Sequence, residues 1–205
     1  MLVHDDAELV DWDAGLYQAR IPLGPADVVR GWVRATMERN GMPYHFVATH
    51  LETQGSGPTD PLRQVHNAQA AELQGAVLAA LDGNVVLMGD LNSDANADPS
   101  QRSWTPTYGN LTDAGFIDVW GEAPHRGNVD GVTCCFEPGR TPDERIDFVL
   151  LRQAASLSDR DAGHHRGFYR ADIVGDEISD QTPGGLWPSD HAGIIADLSD
   201  PTVRR

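Results

Sequence analysis

The sequence predicts a single α/β domain with mixed or antiparallel strands, and two observations support this prediction. Short apolar runs recur along the chain and are separated by turns that contain Gly, Pro or Asn. Between them lies one long segment with helix start signals and an approximate apolar face at helical spacing. A chain of 205 residues can bury one hydrophobic core, but two very small domains would fit only with difficulty. We therefore expect one domain over residues 1–205.

The N-terminal half predicts a hairpin, a helix and a short strand. Residues 31–37 and 44–51 are two strand-like runs joined by Asn40-Gly41, which is a strong turn signal. Residues 60–81 are the best helix candidate, because an Asp can cap the start, a Pro suits the first position, and Leu and Val recur on one face. A short buried strand at residues 84–88 is expected to follow.

The C-terminal half predicts further strands separated by polar loops. Residues 111–119 resemble a short helix and turn. Later strands are expected at residues 132–136, 145–151, 169–174 and 192–198. Polar loops with Gly or Pro occupy residues 156–167 and 176–188. This order places the polar residues of interest at strand ends.

The charge of the chain limits the partners that it can bind. The formal net charge is −16, and all 15 basic residues are Arg. A broad cationic surface that tracks a nucleic-acid backbone is therefore not expected, and long DNA is a disfavoured substrate.

The cysteines and the N-terminus bear on the compartment. Cys134 and Cys135 are adjacent in an apolar run, and neighbouring side chains on a strand point to opposite faces, so that no disulfide is expected. The N-terminus carries His and acidic residues in place of a basic flank and an apolar core, which argues against a signal peptide. No apolar run approaches the length of a membrane span. We expect a cytoplasmic protein, unless a truncated start has removed an export signal.

Four short stretches carry the residue types of a phosphate-handling site. They are residues 49–52 (Thr-His-Leu-Glu), 89–92 (Gly-Asp-Leu-Asn), 145–148 (Arg-Ile-Asp-Phe) and 189–192 (Ser-Asp-His-Ala). Each places a His, Asp or Asn at or just beyond a short apolar run, where a strand can hold it at a pocket floor. Together they supply hard oxygen ligands, a general acid or base, and a group that orients it. Such a set suits metal-assisted attack on phosphorus.

The second stretch also has two simpler interpretations. Residues 90–98 partly match a calcium-binding loop, but Ala95 stands where the loop needs Gly and Gln101 stands where it needs Glu. An Asx turn after a strand is the more serious alternative, because Asp and Asn are ordinary turn residues.

A lone histidine is more often structural than catalytic, and this alternative applies to His50 and to His191. Asp147 is harder to explain in this way, because it interrupts an apolar run, where a carboxylate is costly unless it is paired. A buried carboxylate that orients a His ring is a recurrent catalytic device, and His191 is the best candidate for that ring.

In this order, the four stretches resemble the second half of the endonuclease/exonuclease/phosphatase superfamily, which includes nucleases related to DNase I, neutral sphingomyelinases and inositol polyphosphate phosphatases. Residues 131–135 and 144–147 also resemble the spacing of bacterial members. The resemblance spans about residues 21–198 and is specific for the superfamily but not for a substrate. It implies a DNase I-like α/β/β/α four-layer sandwich, with the site where both sheets open at one edge.

The resemblance implies a histidine at the centre of catalysis. His191 would be the general base or would stabilise the transition state, and Asp147 would orient its ring. His50 would donate to a non-bridging oxygen or assist the leaving group.

The resemblance also implies a water site and a metal contact. Asp90 would position or activate the attacking water, and Asn92 would hold that water or a phosphoryl oxygen. Asp190 would contact the metal ion, directly or through water. The expected ion is Mg²⁺ or Mn²⁺, whose chemistry suits carboxylates, carbonyls and water.

One part of the family pattern is missing from this sequence. Family members begin with a strand that carries an Asn and then a strand-end Glu that is the principal metal ligand. Residues 1–27 contain no match, and Glu8, Asp11 and Asp13 are interpreted as a solvated acidic run. We expect an N-terminally truncated domain that lacks part of its first sheet and self-associates through the exposed sheet.

The expected activity is metal-dependent hydrolysis of a small phosphoester by in-line attack of water, of the phosphodiesterase, phosphatase or nuclease type. The alternative is a catalytically impaired remnant or a phosphate-binding module of the same fold.

Overall fold

The computed structural model describes residues 1–2, 7–23, 26–39, 41–123, 128–154 and 169–198. Its strands are β1 (Glu8–Leu16), β2 (Ile21–Leu23), β3 (Ala26–Val28), β4 (Gly31–Arg39), β5 (Met42–His50), β6 (Asn84–Asp90), β7 (Ile117–Asp118), β8 (Asp147–Arg152), β9 (Tyr169–Val174) and β10 (Gly193–Leu198). Its α-helices are α1 (Pro61–Glu72), α2 (Thr107–Asp113) and α3 (Val119–Glu122). A π-helical segment, Leu73–Leu78, continues α1, and a 3-10 turn spans Ile178–Asp180.

A six-stranded sheet in the order β1-β4-β5-β6-β8-β7 forms the centre of the fold. Neighbouring strands are antiparallel except for β5 and β6, which run parallel and are connected through α1. Strands β9 and β10 form a second sheet, and β2 pairs with β3. The register sets His50 beside Asp90 and Asp90 beside Asp147, in one row across three strands.

Local sequence signals account for the predicted hairpin and helix. Gly41 has a φ of 75° at the β4–β5 turn, a conformation that Gly adopts readily. Asp60 Oδ1 accepts the Leu62 N–H at 2.9 Å and caps α1, which has Pro at its start. The helix expected over residues 60–81 therefore begins as predicted. Its later turns are π-helical, and the Ala79 N–H bonds five residues back along the chain.

Apolar side chains cover both faces of the central sheet. Successive residues of a strand point to opposite faces, and Val85 and Val86 accordingly belong to two different clusters. The first cluster packs strand residues against α1 and the π-helical segment, with Leu73 fully buried. The second packs the other face against α3 and against Ala196 and Leu198 of β10. The described chain thus layers helices, the central sheet and the second sheet, which are three successive layers of the expected four-layer sandwich.

The prediction of a strand at residues 132–136 is wrong. Cys134 makes isolated bridges to Glu144 and to His191, and Cys135 has a φ of 78°, which interrupts extended backbone. The expectation of no disulfide is also wrong, because Cys134 and Cys135 are bonded, with Cα atoms 3.7 Å apart. Departure from strand geometry brings the two neighbouring side chains to the same side.

The acidic N-terminal segment forms a strand, contrary to expectation. Strand β1 pairs with β4 at the sheet edge, and Asp11 Oδ2 accepts from Arg34 at 2.8 Å. Its side chains are mostly exposed, including those of Trp12 and Leu16. A strand that is exposed on both faces has no alternation of buried and polar residues, so the sequence pattern does not reveal it.

The remaining elements lie close to the predicted ranges. The strands expected at 145–151, 169–174 and 192–198 are β8, β9 and β10, whereas the helix expected at 111–119 begins earlier, as α2. The expected loop at 156–167 lies entirely outside the described residues. In the part of the chain that the structure describes, no helix is long and apolar enough to cross a membrane.

Candidate active site

The floor of the candidate site is built by the ends of β5 and β6. Gly89 has a φ of 130°, and a Cβ added there would lie 2.0 Å from the Thr49 carbonyl oxygen, so that only glycine allows the two strands to approach. The Leu51 N–H donates to the Asp90 carbonyl oxygen at 3.0 Å. His50 and Asp90 therefore emerge side by side, with His50 Nε2 3.1 Å from Asp90 Oδ2.

Asn92 organises the Asp90 carboxylate. The Asn92 N–H donates to Asp90 Oδ1 at 2.8 Å, which is the hydrogen bond of an Asx turn. Its amide Nδ2 donates to the Leu51 carbonyl oxygen at 3.0 Å and lies 3.3 Å from Asp90 Oδ2. The turn alternative and the site interpretation are thus compatible, because the turn itself orients the carboxylate.

Asp94, the next acidic residue of this loop, has a structural role. Its Oδ1 accepts the N–H groups of Asn96 and Arg145, and its Oδ2 accepts the Ser103 hydroxyl. The protein's own donors therefore explain this buried carboxylate.

Asp147 and His191 form the predicted hydrogen-bonded pair. His191 Nδ1 donates to Asp147 Oδ2 at 2.8 Å. The Asp147 backbone N–H donates to the buried Thr133 hydroxyl at 3.1 Å, and the His191 N–H donates to the Ser189 hydroxyl at 3.0 Å. The hydrogen bond that His191 donates to Asp147 raises the pKa of His191 to about 9, against the opposing effect of burial. The His191 ring is therefore protonated at neutral pH.

Residues 133–136 link the loop that contains His191 to the start of β8 through hydrogen bonds. The N–H groups of Cys135 and Phe136 both donate to the Asp190 carbonyl oxygen, at 2.8 and 3.0 Å. The Ala192 N–H donates to the Thr133 carbonyl oxygen at 2.8 Å. This irregular segment therefore positions both members of the Asp147–His191 pair, although its sequence predicts an ordinary strand.

Three side chains of this site lie close enough together to surround a metal ion, and the two carboxylates are the ligands that remain available while His191 is protonated. Ligand atoms of Asp90, Asp147 and His191 all lie within 4.8 Å of one another, and the two carboxylates supply hard oxygen donors. Asp190 is exposed and is not a member of that group. Its negative charge contributes to the raised pKa of His191, which places it near the ring.

The sequence did not single out several residues that support the site. His66 Nδ1 lies 2.7 Å from the Glu52 carbonyl oxygen, and Gln69 Oε1 accepts the Glu52 N–H at 2.8 Å. The side chains of His66 and Gln69 are both fully buried on α1. Polar residues among apolar ones on a helix are a sequence pattern that could have identified them. Arg30 also contacts His50, across the open end of the β4–β5 hairpin that the sequence predicts.

The model of the family described as "Endonuclease/Exonuclease/phosphatase family" matches residues 8–191. The chain belongs to this family. The resemblance drawn from the four stretches is thereby confirmed. Members of the family are phosphoester hydrolases and usually use a divalent metal ion.

Solved structures that are similar to this chain have the DNase I-like fold. A family protein from Leptotrichia buccalis aligns with a TM-score of 0.59 at 16% identity, covering 94% of this chain and 62% of that one. A mannosyl-6-phosphatase from Bacteroides thetaiotaomicron gives 0.59 at 15% identity, covering 96% and 68%. TDP2 from D. rerio, complexed with a single-strand DNA product, gives 0.54 at 16% identity, covering 93% and 67%.

The chain spans 62% to 68% of the length of these structures. No curated protein matches the sequence significantly.

Proposed function

We propose that this chain hydrolyses a phosphoester bond by in-line attack of water, with a divalent metal ion, Mg²⁺ or Mn²⁺. The observation that carries the proposal is the Asp147–His191 pair, hydrogen-bonded at 2.8 Å, with the Asp90 carboxylate in the same cluster. A protonated imidazole beside two carboxylates at the ends of neighbouring strands suits an anionic transition state and a positioned water.

His191 acts on the phosphoryl group as a cation. Asp147 engages Nδ1, so that Nε2 is the ring atom left to donate to a phosphoryl oxygen. A pKa of about 9 keeps the ring protonated at neutral pH, which favours transition-state stabilisation over the general-base role. Asp147 holds the ring in this orientation.

Asp90 positions the attacking water, and its neighbours arrange the phosphoryl group. Asn92 holds Asp90 through two contacts and supplies an amide for the water or for a phosphoryl oxygen. His50, half exposed beside Asp90, donates to a non-bridging oxygen or to the leaving group.

The carboxylates of the site fit a hard divalent ion. The carboxylates of Asp90 and Asp147 would hold it, and Asp190 would contact it directly or through water. When bound, such an ion supplies charge neutralisation at the phosphoryl oxygens.

The substrate is proposed to be a small phosphoester. The net charge of −16 opposes docking of a long polyanion. Among similar structures, one is a mannosyl-6-phosphatase and another is TDP2 with a DNA product, so that both substrate sizes must be assayed.

The test measures hydrolysis of para-nitrophenyl phosphate and bis(para-nitrophenyl) phosphate against Mg²⁺ concentration, with and without EDTA. We expect turnover that needs the metal and falls by roughly 10²- to 10⁴-fold in His191→Ala. His45→Asn is the matched control, because His45 lies on β5 and bonds to Thr36 and to the Asp82 carbonyl oxygen, away from the catalytic cluster.

Two results would contradict the proposal. Full metal-dependent turnover that His191→Ala leaves intact would place the site elsewhere. Efficient nicking of plasmid DNA that weakens as salt rises would reveal a cationic DNA-binding surface. It would refute the proposal that the substrate is a small phosphoester. Phosphate binding without turnover would favour the alternative of a phosphate-binding module.

A further inference from the structure

Arg30 lies directly before β4, and its backbone is fixed by contacts to neighbouring strands. Its carbonyl oxygen accepts the Tyr17 N–H at 2.9 Å. The next residue, Gly31, approaches β1 so closely that an added Cβ would lie 2.3 Å from the Gly15 carbonyl oxygen. The Gly31 carbonyl oxygen accepts the Thr49 hydroxyl at 2.9 Å. The Arg30 side chain therefore starts from a defined position beside the end of β5.

The Arg30 guanidinium lies against the His50 ring. Nη1 is 2.9 Å from His50 Nδ1 and 3.1 Å from Nε2, so that it sits at the ring between the two nitrogens. Nη2 is 3.5 Å from Glu52 Oε1, at the limit of a hydrogen bond. The His50 side chain is 51% exposed and that of Arg30 is 22% exposed, so the guanidinium borders the open side of the site.

The charge of Arg30 is incompletely paired within the described part of the chain. Its Nε and the Oε2 atom of Glu52 are both buried and have no hydrogen-bond partner there. One long ion pair satisfies only part of a guanidinium, which has five donors in a planar fork. The remaining donors can bind a further anion beside His50, whose side chain is exposed.

We propose that Arg30 binds a non-bridging oxygen of the substrate's phosphoryl group, an inference that rests on the proposed hydrolysis at this site. A phosphoryl group at His50 also meets the Asp90 carboxylate, which lies 3.1 Å from the ring. Arg30 offsets that repulsion, and its fork matches the spacing of phosphate oxygens. It is a binding and positioning group that acts together with His50.

The experiment compares Arg30→Ala with Arg34→Ala, which removes the same charge four residues further along the chain, within β4. Arg34 pairs with Asp11, on the β1 side of the sheet. Inorganic phosphate is the probe, and its affinity is measured by calorimetry with Mg²⁺ present. We expect Arg30→Ala to weaken phosphate binding by roughly ten- to a hundredfold, the loss of a charge-assisted hydrogen bond, and Arg34→Ala to change it by less than about twofold.

Kinetics give a second readout. Arg30→Ala should raise the KM for para-nitrophenyl phosphate more than it lowers kcat, because the contact exists in both the bound and transition states. Arg30→Lys keeps the charge without the fork and should recover part of the affinity. Thermal unfolding checks each variant, and Arg30→Lys replaces Arg30→Ala if the latter does not fold.

Unchanged phosphate affinity in the Arg30 variants overturns the inference, as does an equal loss in Arg34→Ala or a wild-type chain that binds no phosphate. The two proposals fail separately. If turnover depends on His191 but phosphate affinity is unchanged in the Arg30 variants, only the role of Arg30 is refuted. Phosphate binding that depends on Arg30 without any turnover supports the anion site and refutes the hydrolysis.

Discussion

Replacing Asp147 by Asn should lower the pKa of His191 and remove a pH-dependent part of the folding free energy. The hydrogen bond that the His191 ring donates to Asp147 is the main reason that this pKa rises from 6.5 to about 9. At about 1.4 kcal/mol per tenfold change in the protonation equilibrium, this difference corresponds to at most about 3–4 kcal/mol. Solvent screens part of it, because the His191 side chain is 30% exposed, so we expect a loss of about 1–2 kcal/mol.

The sign of the pH dependence follows from the raised pKa. A group whose pKa is higher in the folded state stabilises the fold fully below its unfolded pKa, and that stability is lost as the pH rises through the folded pKa. The difference in unfolding free energy between the wild type and Asp147→Asn should therefore be largest between about pH 5 and 6.5 and should vanish above about pH 9.

Two measurements check this prediction. Urea unfolding across that pH range gives the free energies, and NMR titration of the His191 ring gives its pKa in both proteins. Asp13→Asn is the control, since Asp13 is exposed on β1 and bonds to the neighbouring Ala14 N–H. A wild-type pKa near 6.5, or one that Asp147→Asn leaves unchanged, would refute the reasoning.

Three further predictions concern stability and covalent structure. Gly89→Ala should cost about 3 kcal/mol or more in urea unfolding, because its Cβ would meet the Thr49 carbonyl oxygen, whereas Gly57→Ala, with open space around it, should cost little. Asp118→Asn leaves the buried Arg145 guanidinium without its carboxylate and should cost about 3–5 kcal/mol, and an unchanged melting temperature would contradict this. Reduction of the disulfide should raise the intact mass by about 2 Da, and an unchanged mass would show free thiols.

The sequence predicts the clustered residues of the candidate site because they lie within or just beyond apolar runs. Asp147 and Asp90 lie at strand ends within or beside buried segments, and a carboxylate there requires a partner or a function. Strand register then brings them together, since adjacent strands align their ends. Local patterns therefore carry both the residue types and, indirectly, the geometry of this part of the site.

Other parts depend on contacts that a local pattern does not encode. The predicted β4–β5 hairpin brings residue 30 near residue 50, but only the folded chain sets the Arg30 guanidinium against the His50 ring. Residues 133–136 have strand-like composition, but the positive φ of Cys135 follows from the bond to its neighbour and from anchoring to the Asp190 carbonyl oxygen. Such features arise from tertiary structure, so periodicity and propensity cannot anticipate them.

The contact between Asp147 and His191 spans the interior between the two sheets. Asp147 opens β8 in the central sheet, and His191 stands just before β10 in the second one. Sliding of one sheet over the other would therefore lengthen that hydrogen bond. Apolar side chains behind the site, such as Val86 and Leu151 packed against β10, fix how the sheets are seated. The alignment of the Asp147–His191 pair is thus governed by the fit of the hydrophobic interior.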